Sequence, residues 1–333
     1  MSKALEVLKE LLPVYGPSGR EDNIAAKIEE LVKPYVDEVS RDAMGNLVAV
    51  KRGGGRRVMV TAHMDQIGLM VTHIDDNGFL RVCAVGGVRF HWNLFVPVRF
   101  ENGVTGVVGY ETKTVSSMEK LKPENLFVDI GATSRAEAEQ KVQIGDICVF
   151  ATLVSDCGGR LSAGAMDDRS ACAILIDALR RVERSPYDIY AVFTTQEELG
   201  MRGAHTAAYA IEPEIGLAID VTLAADTPEV TPACSARLGK GPAIKVRDQS
   251  LIAHPTVRRW LQDAAEAHGI PYQLEVLTAG GTDAGAIQPS RSGVPSGCLS
   301  LPTRYVHSAA EMIDLKDFEQ CVDLLVAALS AEA

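Results

Sequence analysis

The sequence predicts an α/β fold whose mostly parallel sheet is interrupted by a small inserted β-rich domain. In residues 1–69 and 156–333, strand-like apolar runs alternate with helical patterns, as in a parallel sheet covered on both faces. Residues 70–155 instead contain short alternating runs separated by Asn-Gly turns, which indicates a compact, barrel-like domain. The length of 333 residues suggests about two domains, and 47% hydrophobic residues suffice for their cores.

The first α/β segment begins with two helical patterns and continues into strands. Ser18-Gly19-Arg20-Glu21 has the spacing of a capping box, so we predict that it caps a helix with an apolar stripe from Ile24 to Val32. Arg57 to Ala62 is a β-rich apolar run, which we predict to be a central strand ending at His63.

The inserted segment has two strong hairpin signals, Asn77-Gly78 and Asn102-Gly103, each between two alternating apolar runs. One short helix is expected from Arg135 to Lys141, with Ser134 as its cap and Glu137 three residues later. These features predict hairpins closed into a barrel-like unit.

Helical and strand patterns alternate again in the last segment. The predicted elements, in chain order, are a helix with its stripe from Ala171 to Val182, strands Ile189–Thr195 and Gly216–Asp220, a helix marked by Val257 to Ala265, strands Gln273–Leu277 and Pro295–Leu301, and a helix from Phe318 to Leu329.

Composition excludes several classes of function. The net charge of −11 argues against nucleic acid as a partner, because 44 acidic residues outnumber the 33 basic ones that could neutralise a row of phosphates. No apolar stretch approaches the roughly 18–20 residues of a membrane span, and charges interrupt the N-terminal helix, so we expect neither a membrane protein nor a signal peptide. The seven scattered cysteines include no C-x-x-C pair, which favours reduced thiols and a cytoplasmic location.

Acidic residues and histidines recur where a predicted strand ends or a helix begins. They are His63 and Asp65, Asp167 and Asp168, Glu197 and Glu198, Asp220, and His307. In a doubly wound sheet the carboxyl ends of the parallel strands share one rim, where ligands bind. The sequence therefore predicts that these distant residues meet at one site.

The residue types at this rim suit two divalent cations. His63, Asp167, Glu198, Asp220 and His307 offer imidazole and carboxylate ligands without a thiolate, which suits zinc, or cobalt or manganese. If Asp167 bridges, each ion has three protein ligands and room for water. Asp65 is placed to accept the second N–H of His63.

Each residue also has a structural interpretation. Asp167 and Asp168 could cap the helix that follows them, and Asp220 could be a turn residue. The pair Glu197-Glu198 could lie on a surface loop. We interpret Asp283, in Gly280-Gly281-Thr282-Asp283-Ala284-Gly285, as a helix N-cap. The joint pattern favours metal binding, because independent caps need not occupy the same rim.

The sequence closely resembles the tetrahedral (TET) aminopeptidases, the glutamyl-aminopeptidase family of dinuclear zinc metallopeptidases, whose members are also labelled endoglucanases. The matching stretches lie along nearly the whole chain: Ala62-His63-Met64-Asp65-Gln66-Ile67-Gly68, Val128-Asp129-Ile130-Gly131-Ala132, Met166-Asp167-Asp168-Arg169, Thr195-Gln196-Glu197-Glu198-Leu199-Gly200, Ala218-Ile219-Asp220-Val221-Thr222, Gly239-Lys240-Gly241-Pro242, Gly280-Gly281-Thr282-Asp283-Ala284 and Arg304-Tyr305-Val306-His307-Ser308.

The resemblance implies a role for each residue. His63, Asp167 and Asp220 would hold one metal, and Asp167, Glu198 and His307 the other. Glu197 would be the general base. A cis peptide would join Asp167 and Asp168. Glutamine stands at position 66, where the family often has glutamate, and we expect Gln66, like Asp65, Asp168, Thr282 and Asp283, to lie behind the ligands or in the substrate pocket.

The resemblance also implies a phosphorylase/hydrolase-like α/β metallopeptidase domain, with residues 70–155 as an inserted dimerisation domain. Members commonly assemble as hollow tetrahedral dodecamers, so we expect a homo-oligomer. The expected activity is release of N-terminal residues from short peptides through a metal-bridging hydroxide. A dinuclear deacylase or carboxypeptidase of related topology and a catalytically silent assembly protein are the alternatives. A glycosidase is disfavoured, because two ligand histidines accompany the carboxylates.

Overall fold

The computed structural model describes residues 2–115, 117–228 and 235–332, and it confirms the predicted fold class. One large mixed sheet is flanked by helices, and a separate closed barrel is inserted near its first long strand. The helices are α1 (Lys3–Leu11), α2 (Asp22–Val32), α3 (Arg135–Glu139), α4 (Met166–Arg181), α5 (Arg202–Ile211), α6 (Pro255–His268), α7 (Asp283–Ile287) and α8 (Leu315–Ser330). Short 3₁₀ helices are formed by Lys33–Tyr35, Phe90–Trp92, Met118–Lys120 and Pro123–Asn125.

Two sets of strands build the sheet and the barrel. The large sheet contains β1 (Glu38–Arg41), β2 (Leu47–Lys51), β3 (Arg56–His63), β10 (Ser155–Asp156), β11 (Arg160–Ala163), β12 (Tyr187–Thr194), β13 (Ile215–Leu223), β14 (Ala243–Arg247), β15 (Gln273–Val276), β16 (Ser296–Arg304) and β17 (Glu311–Asp314). The barrel contains β4 (Gly68–Ile74), β5 (Leu80–Val85), β6 (Pro97–Phe100), β7 (Thr105–Tyr110), β8 (Leu126–Asp129) and β9 (Ile147–Phe150).

The centre of the large sheet is parallel. Strands β12, β3, β13 and β16 lie side by side in that order and run in the same direction, while antiparallel strands extend the sheet at both sides. The register pairs His63 with Thr194 and Asp220 with Ser300. The carboxyl ends of the four central strands therefore lie along one rim, as the sequence predicted.

Alternating side chains of β3 face different helix layers. Val58, Val60 and Ala62 belong to the main core, to which α1, α2, α4, α6 and α8 contribute. Met59 instead packs in a second cluster with Val192 and residues of α5 and α7. Because both faces of β3 are buried, its sequence is a continuous apolar run and does not alternate between apolar and polar residues.

The barrel closes through the order β4-β5-β8-β7-β6-β9. Asn77-Gly78 joins the antiparallel strands β4 and β5, and Asn102-Gly103 joins β6 and β7, so both predicted hairpins are confirmed. The barrel strands lie between Gly68 and Phe150. The proposed domain limits, 1–69 with 156–333 and 70–155, stay a prediction.

The N-caps predicted from the sequence can be compared with those in the structure. Ser134 caps α3 as predicted, accepting a hydrogen bond from the Glu137 N–H. The capping box at Ser18 and Glu21 was wrong, because α2 begins at Asp22 without a side-chain cap. The predicted N-cap at Asp283 was also wrong, because Thr282 occupies that position and Asp283 is the first helical residue.

Two further expectations concern cysteines and membranes. The described cysteines, Cys83, Cys148, Cys157, Cys172, Cys298 and Cys321, are all free thiols, as expected. Cys234 lies outside the described residues. Within residues 2–115, 117–228 and 235–332, no helix combines the length and apolar character that crossing a membrane requires.

Candidate metal centre

The first ligand candidate, His63, is the last residue of β3. Its ring is almost completely buried, with 2% of the side chain exposed. Nε2 lies 2.9 Å from Asp167 Oδ1, and Nδ1 lies 3.4 Å from Asp65 Oδ1. The Asp65 carboxylate therefore lies close behind the imidazole, and its role in orienting the ring stays a prediction.

Asp167 and Asp168 lie at the start of α4, and the peptide bond between them is cis, as the family resemblance implied. Neither residue has helical backbone dihedrals, and neither carboxylate caps the helix. Asp168 is fully buried behind His63, where Oδ2 accepts a hydrogen bond from the His63 N–H at 3.3 Å. Asp167 instead faces the two candidate histidines.

Glu197 and Glu198 follow β12 in a loop in which Gln196 has a positive φ of 52°. The Asp65 carboxylate holds this loop, accepting hydrogen bonds from the Glu197 N–H at 3.0 Å and the Glu198 N–H at 3.3 Å. One carboxylate thus connects the His63 ring to the backbone of the glutamate pair.

The remaining candidates come from β13 and from the loop after β16. Asp220 is buried within β13, and its Oδ1 accepts the Val221 N–H at 2.7 Å. His307 lies in the loop between β16 and β17 with a positive φ of 68°. Its ring is 26% exposed, far more than that of His63.

These residues form two groups that share Asp167. The inner group, His63, Asp167 and Asp220, and the outer group, Asp167, Glu198 and His307, each bring their possible ligand atoms within 4.8 Å of one another. Asp167 Oδ1 faces His63 Nε2, while Asp167 Oδ2 lies 3.3 Å from His307 Nε2. His307 Nε2 also lies 3.3 Å from Glu198 Oε1. One carboxylate therefore presents a different oxygen to each group.

The electrostatics of the site favour bound cations. Burial first, and then neighbouring carboxylates, raise the pKa values of Asp168, Asp220 and Glu197 above their usual range. Burial also acts to raise the pKa of Asp167, but the two imidazoles hold that pKa below its usual value. Two divalent ions would offset the cost of ionising this carboxylate cluster.

Burial alone would lower the pKa of His307, but hydrogen bonds from its ring to Asp167 and Glu198 raise it to about 12. A metal bound at this imidazole would take the place of the ring proton. The donor set fits such an ion, since it combines imidazole nitrogens with carboxylate oxygens and includes no thiolate.

Glu311 is a buried carboxylate that the sequence analysis missed. Oε1 accepts the His307 N–H at 2.7 Å, and Oε2 accepts the Asp167 N–H at 3.0 Å. Glu311 thereby fixes the backbone of Asp167, which both groups share, and of His307 in the outer group. Its position at the start of β17, four residues after His307, is the only local signal for it.

Ser18 and Glu21 also support the site, although the sequence suggested a helix cap. The Ser18 hydroxyl donates to Asp65 Oδ2 at 2.6 Å. Glu21 Oε1 accepts the N–H groups of Gly19 at 2.8 Å and Gln196 at 3.1 Å. The turn before α2 therefore holds the loop that carries the glutamate pair.

The barrel reaches the candidate metal centre through Gly86 and Gly87, directly after β5. A Cβ atom at Gly87 would lie 2.7 Å from Cε1 and Nδ1 of the His307 ring. A Cβ atom at Gly86 would lie 3.0 Å from Glu198 Oε2. A side chain at either position would displace the His307 ring or the Glu198 carboxylate, so glycine allows the inserted barrel to form part of the wall around the outer group.

A cavity of about 350 Å³ opens beside both groups. Its lining includes His63, Asp167, Glu197, Glu198, Asp220 and His307 together with the apolar side chains of Met201, Val221, Leu223, Leu277 and Val306. The structure thus brings together the five predicted ligands and the predicted base.

The other predicted site residues, Gln66, Thr282 and Asp283, are buried outside the lining of this cavity. Gln66 is buried and accepts a hydrogen bond from Arg169 Nη2 at 3.2 Å. Asp283 is buried with Oδ2 accepting from the Thr194 hydroxyl at 2.6 Å. Thr282 is buried beside it, and the structure places neither Thr282 nor Asp283 in the cavity lining.

Comparisons with known proteins identify the family to which the sequence is similar. A family model described as M42 glutamyl aminopeptidase matches residues 45–324. A putative aminopeptidase of Acetivibrio thermocellus is 47% identical, covering 97% of this chain and 98% of its own length.

Two solved structures have the same fold. The aminopeptidase APDkam598 from the archaeon Desulfurococcus kamchatkensis superposes with a TM-score of 0.94 at 41% identity, covering 98% of this chain and 94% of that one. The Pyrococcus horikoshii TET1 peptidase, described as assembling into a tetrahedron or a large octahedral shell, gives a TM-score of 0.86 at 33% identity, covering 99% and 100%.

Proposed function

Since the chain belongs to the M42 glutamyl aminopeptidase family, we propose that it is a dinuclear metalloaminopeptidase that releases N-terminal amino acids from short peptides. The single observation that carries this proposal is the placement of Asp167, whose two carboxylate oxygens face His63 and His307 separately. That arrangement suits a carboxylate shared by two metal ions.

The inner group would hold one divalent cation and the outer group the other. Zinc suits these nitrogen and oxygen ligands, and cobalt or manganese would also fit. When bound, the ion pair would polarise the scissile carbonyl and lower the pKa of water in the site.

Glu197 would act as the general base. Its carboxylate lines the cavity without belonging to either ligand group, and its backbone N–H is fixed by Asp65 at 3.0 Å. Burial, with Asp220 and Glu198 nearby, raises the pKa of Glu197 above its usual range. A carboxylate with a raised pKa is suited to take a proton from water and return it to the leaving amine.

A free α-amine would be recognised by a carboxylate at the rim of the cavity or by one of the metal ions. This preference would restrict cleavage to the N-terminal residue. The apolar part of the lining, from Met201, Val221, Leu223 and Leu277, would receive the side chain of that residue. An apolar side chain gains most from such a surface.

The barrel would mediate dimerisation, and dimers would assemble into larger shells such as a dodecamer. Large apolar side chains exposed on the barrel support this proposal, including Phe95, Ile144 and Val107. Light scattering would give the number of subunits in the assembly.

The free thiols favour the cytoplasm as the compartment.

Aminoacyl p-nitroanilides test the proposed activity. We expect the purified protein to hydrolyse at least leucine p-nitroanilide, to lose this activity after chelation, and to regain it with zinc, cobalt or manganese. The matched substrate N-acetyl-leucine p-nitroanilide lacks the free amine and should remain intact. Preferential cleavage of acylated or C-terminal substrates would instead identify a deacylase or carboxypeptidase. A metal-loaded protein inactive on the whole panel would favour the silent assembly protein.

A further inference from the structure

Arg89 brings a positive charge to the cavity from the barrel side. It follows Gly86 and Gly87, which pack against Glu198 and His307, and it lines the same cavity as the candidate ligands. The sequence analysis did not single it out, because it lies in an irregular segment between β5 and β6 with no motif around it.

Among the described residues, the Arg89 guanidinium has no acidic partner. It lies over the Trp92 ring, with its central carbon 4.4 Å from the ring centroid. Within the described parts of the chain, no carboxylate forms an ion pair with it, and its pKa is lowered by burial. Arginine stays protonated in proteins, so a charged group is held here at the cost of partial desolvation.

Stacking on Trp92 occupies only a face of the guanidinium. The N–H groups lie in the plane and point outwards at its edges, where they match the two oxygens of a carboxylate. The aromatic contact therefore orients the group for an anion without using its donors.

Lys245 provides an informative comparison in the same cavity. Its Nζ is buried and lies 3.3 Å from Glu275 Oε1 and 3.5 Å from Asp248 Oδ2. Those two carboxylates already neutralise Lys245. In the described cavity lining, Lys245 is neutralised by protein carboxylates and Arg89 is not. The charge of Arg89 is therefore available to a ligand.

We infer that Arg89 binds the C-terminal carboxylate of di- and tripeptide substrates. This inference rests on the proposed function, in which the N-terminal residue lies at the metal-binding groups and the rest of the peptide extends from them. Consecutive Cα atoms are about 3.8 Å apart, so the first and last Cα atoms of a di- or tripeptide are on the order of 4–8 Å apart. That span is comparable with the width of a cavity of about 350 Å³. Longer peptides would carry that charge beyond it.

Peptide pairs that differ only in their C-terminal charge test this assignment. Leu-Leu and Leu-Leu-Leu would be compared with their C-terminal amides, using the metal-loaded wild type and the Arg89→Met variant. Arg135→Met is the control, because Arg135 pairs with Asp76 on the barrel and does not line the cavity.

The wild type and the control should prefer the free acid over the amide of at least one peptide by about 10- to 100-fold in kcat/KM, mainly through KM, as a charge-assisted hydrogen bond implies. Arg89→Met should abolish the preference for the free acid while leaving the metal content unchanged. Arg89→Lys should restore part of the preference, because it keeps the charge without the planar fork.

Three results would overturn the assignment. The wild type could cleave acids and amides equally, Arg89→Met could keep the preference, or the variant could lose only glutamyl p-nitroanilide hydrolysis, which would mean that Arg89 reads an acidic N-terminal side chain. In each case wild-type hydrolysis of leucine p-nitroanilide would still support the proposed function. Loss of that hydrolysis in the wild type would count against the aminopeptidase itself.

Discussion

The inner and outer ligand groups are built on different kinds of structure. In the inner group, His63 ends β3 and Asp220 lies within β13, so hydrogen-bonded neighbours in the parallel sheet fix both. In the outer group, Glu198 and His307 lie on loops, and the ring of His307 is 26% exposed against 2% for His63. The sheet thus determines one group, whereas the other depends on loop conformation.

This difference indicates where the centre can be altered. The outer group relies on contacts from Glu311 and from the barrel residues Gly86 and Gly87. Such supporting contacts contribute to metal affinity, although they never touch the metal. We therefore expect the outer group to lose its ion more readily, and the following predictions probe that asymmetry.

Replacing Asp167, the ligand candidate that both groups share, should remove the difference in metal affinity between them, because neither group would then hold its ion. Asp167→Ala takes one carboxylate from both groups, so we expect both ions to be lost and turnover to become undetectable. Elemental analysis and p-nitroanilide hydrolysis would measure this. Glu183→Gln, in the exposed segment after α4, should behave like the wild type. Retention of one tightly bound ion by Asp167→Ala would show that the groups do not share this residue.

Steric crowding of the outer group should weaken metal binding there and leave metal binding by the inner group unchanged. In Gly87→Ala the new methyl group would meet the His307 ring at 2.7 Å, so the ring must move. We expect metal affinity to fall by roughly 10- to 100-fold at one site of two, as for other disturbed ligand supports. Isothermal titration of the chelated protein with zinc would resolve the two sites.

Gly103→Ala is the control in the same barrel. A Cβ atom there meets no atom within 4 Å, although the φ of 87° disfavours alanine. This variant should lose some stability and keep both metal affinities. Equal weakening of both sites by Gly87→Ala would contradict the separation of the groups.

The smallest expected effect comes from Glu21, which supports the glutamate loop. Burial raises its pKa to about 7 from the usual value of 4.5. Between about pH 4.5 and 7, the folded chain holds a proton that the unfolded chain releases, so stability falls as pH rises. Relative to Glu21→Gln, the wild type should lose on the order of 1–3 kcal/mol across this range.

Urea unfolding of the two proteins at several pH values would measure this difference. The comparison cancels the titration of groups that both proteins share. A constant stability difference from pH 4.5 to 7 would mean that the Glu21 carboxyl titrates as it does in the unfolded chain.

The strands and hairpins could be predicted from the sequence, because the patterns that indicate them lie within a few neighbouring residues. The apolar runs at β3, β12, β13 and β16 and the Asn-Gly turns of the barrel report burial and turn geometry directly. The metal-binding candidates could be named because each follows a strand or precedes a helix. Position alone was therefore enough to suggest that they meet.

The supporting contacts could not be predicted, because their partners are distant in sequence. Glu21 bonds to the Gln196 N–H across 175 positions, and Glu311 bonds to the Asp167 N–H across 144. Locally, Ser18 and Glu21 have ideal spacing for a capping box, and only the packed structure turns them towards the site. Tertiary contacts override local preference where the chain builds a functional site.

The sharpest test of the central claim is the Glu197→Gln variant, assayed for metal content and turnover on the same sample. Glutamine keeps the shape of the side chain but cannot accept a proton, and Glu197 belongs to neither ligand group. We predict two bound ions per subunit, as in the wild type, with kcat reduced roughly 10²- to 10⁴-fold. Near-wild-type turnover with both ions bound would contradict the assignment of Glu197 as the general base.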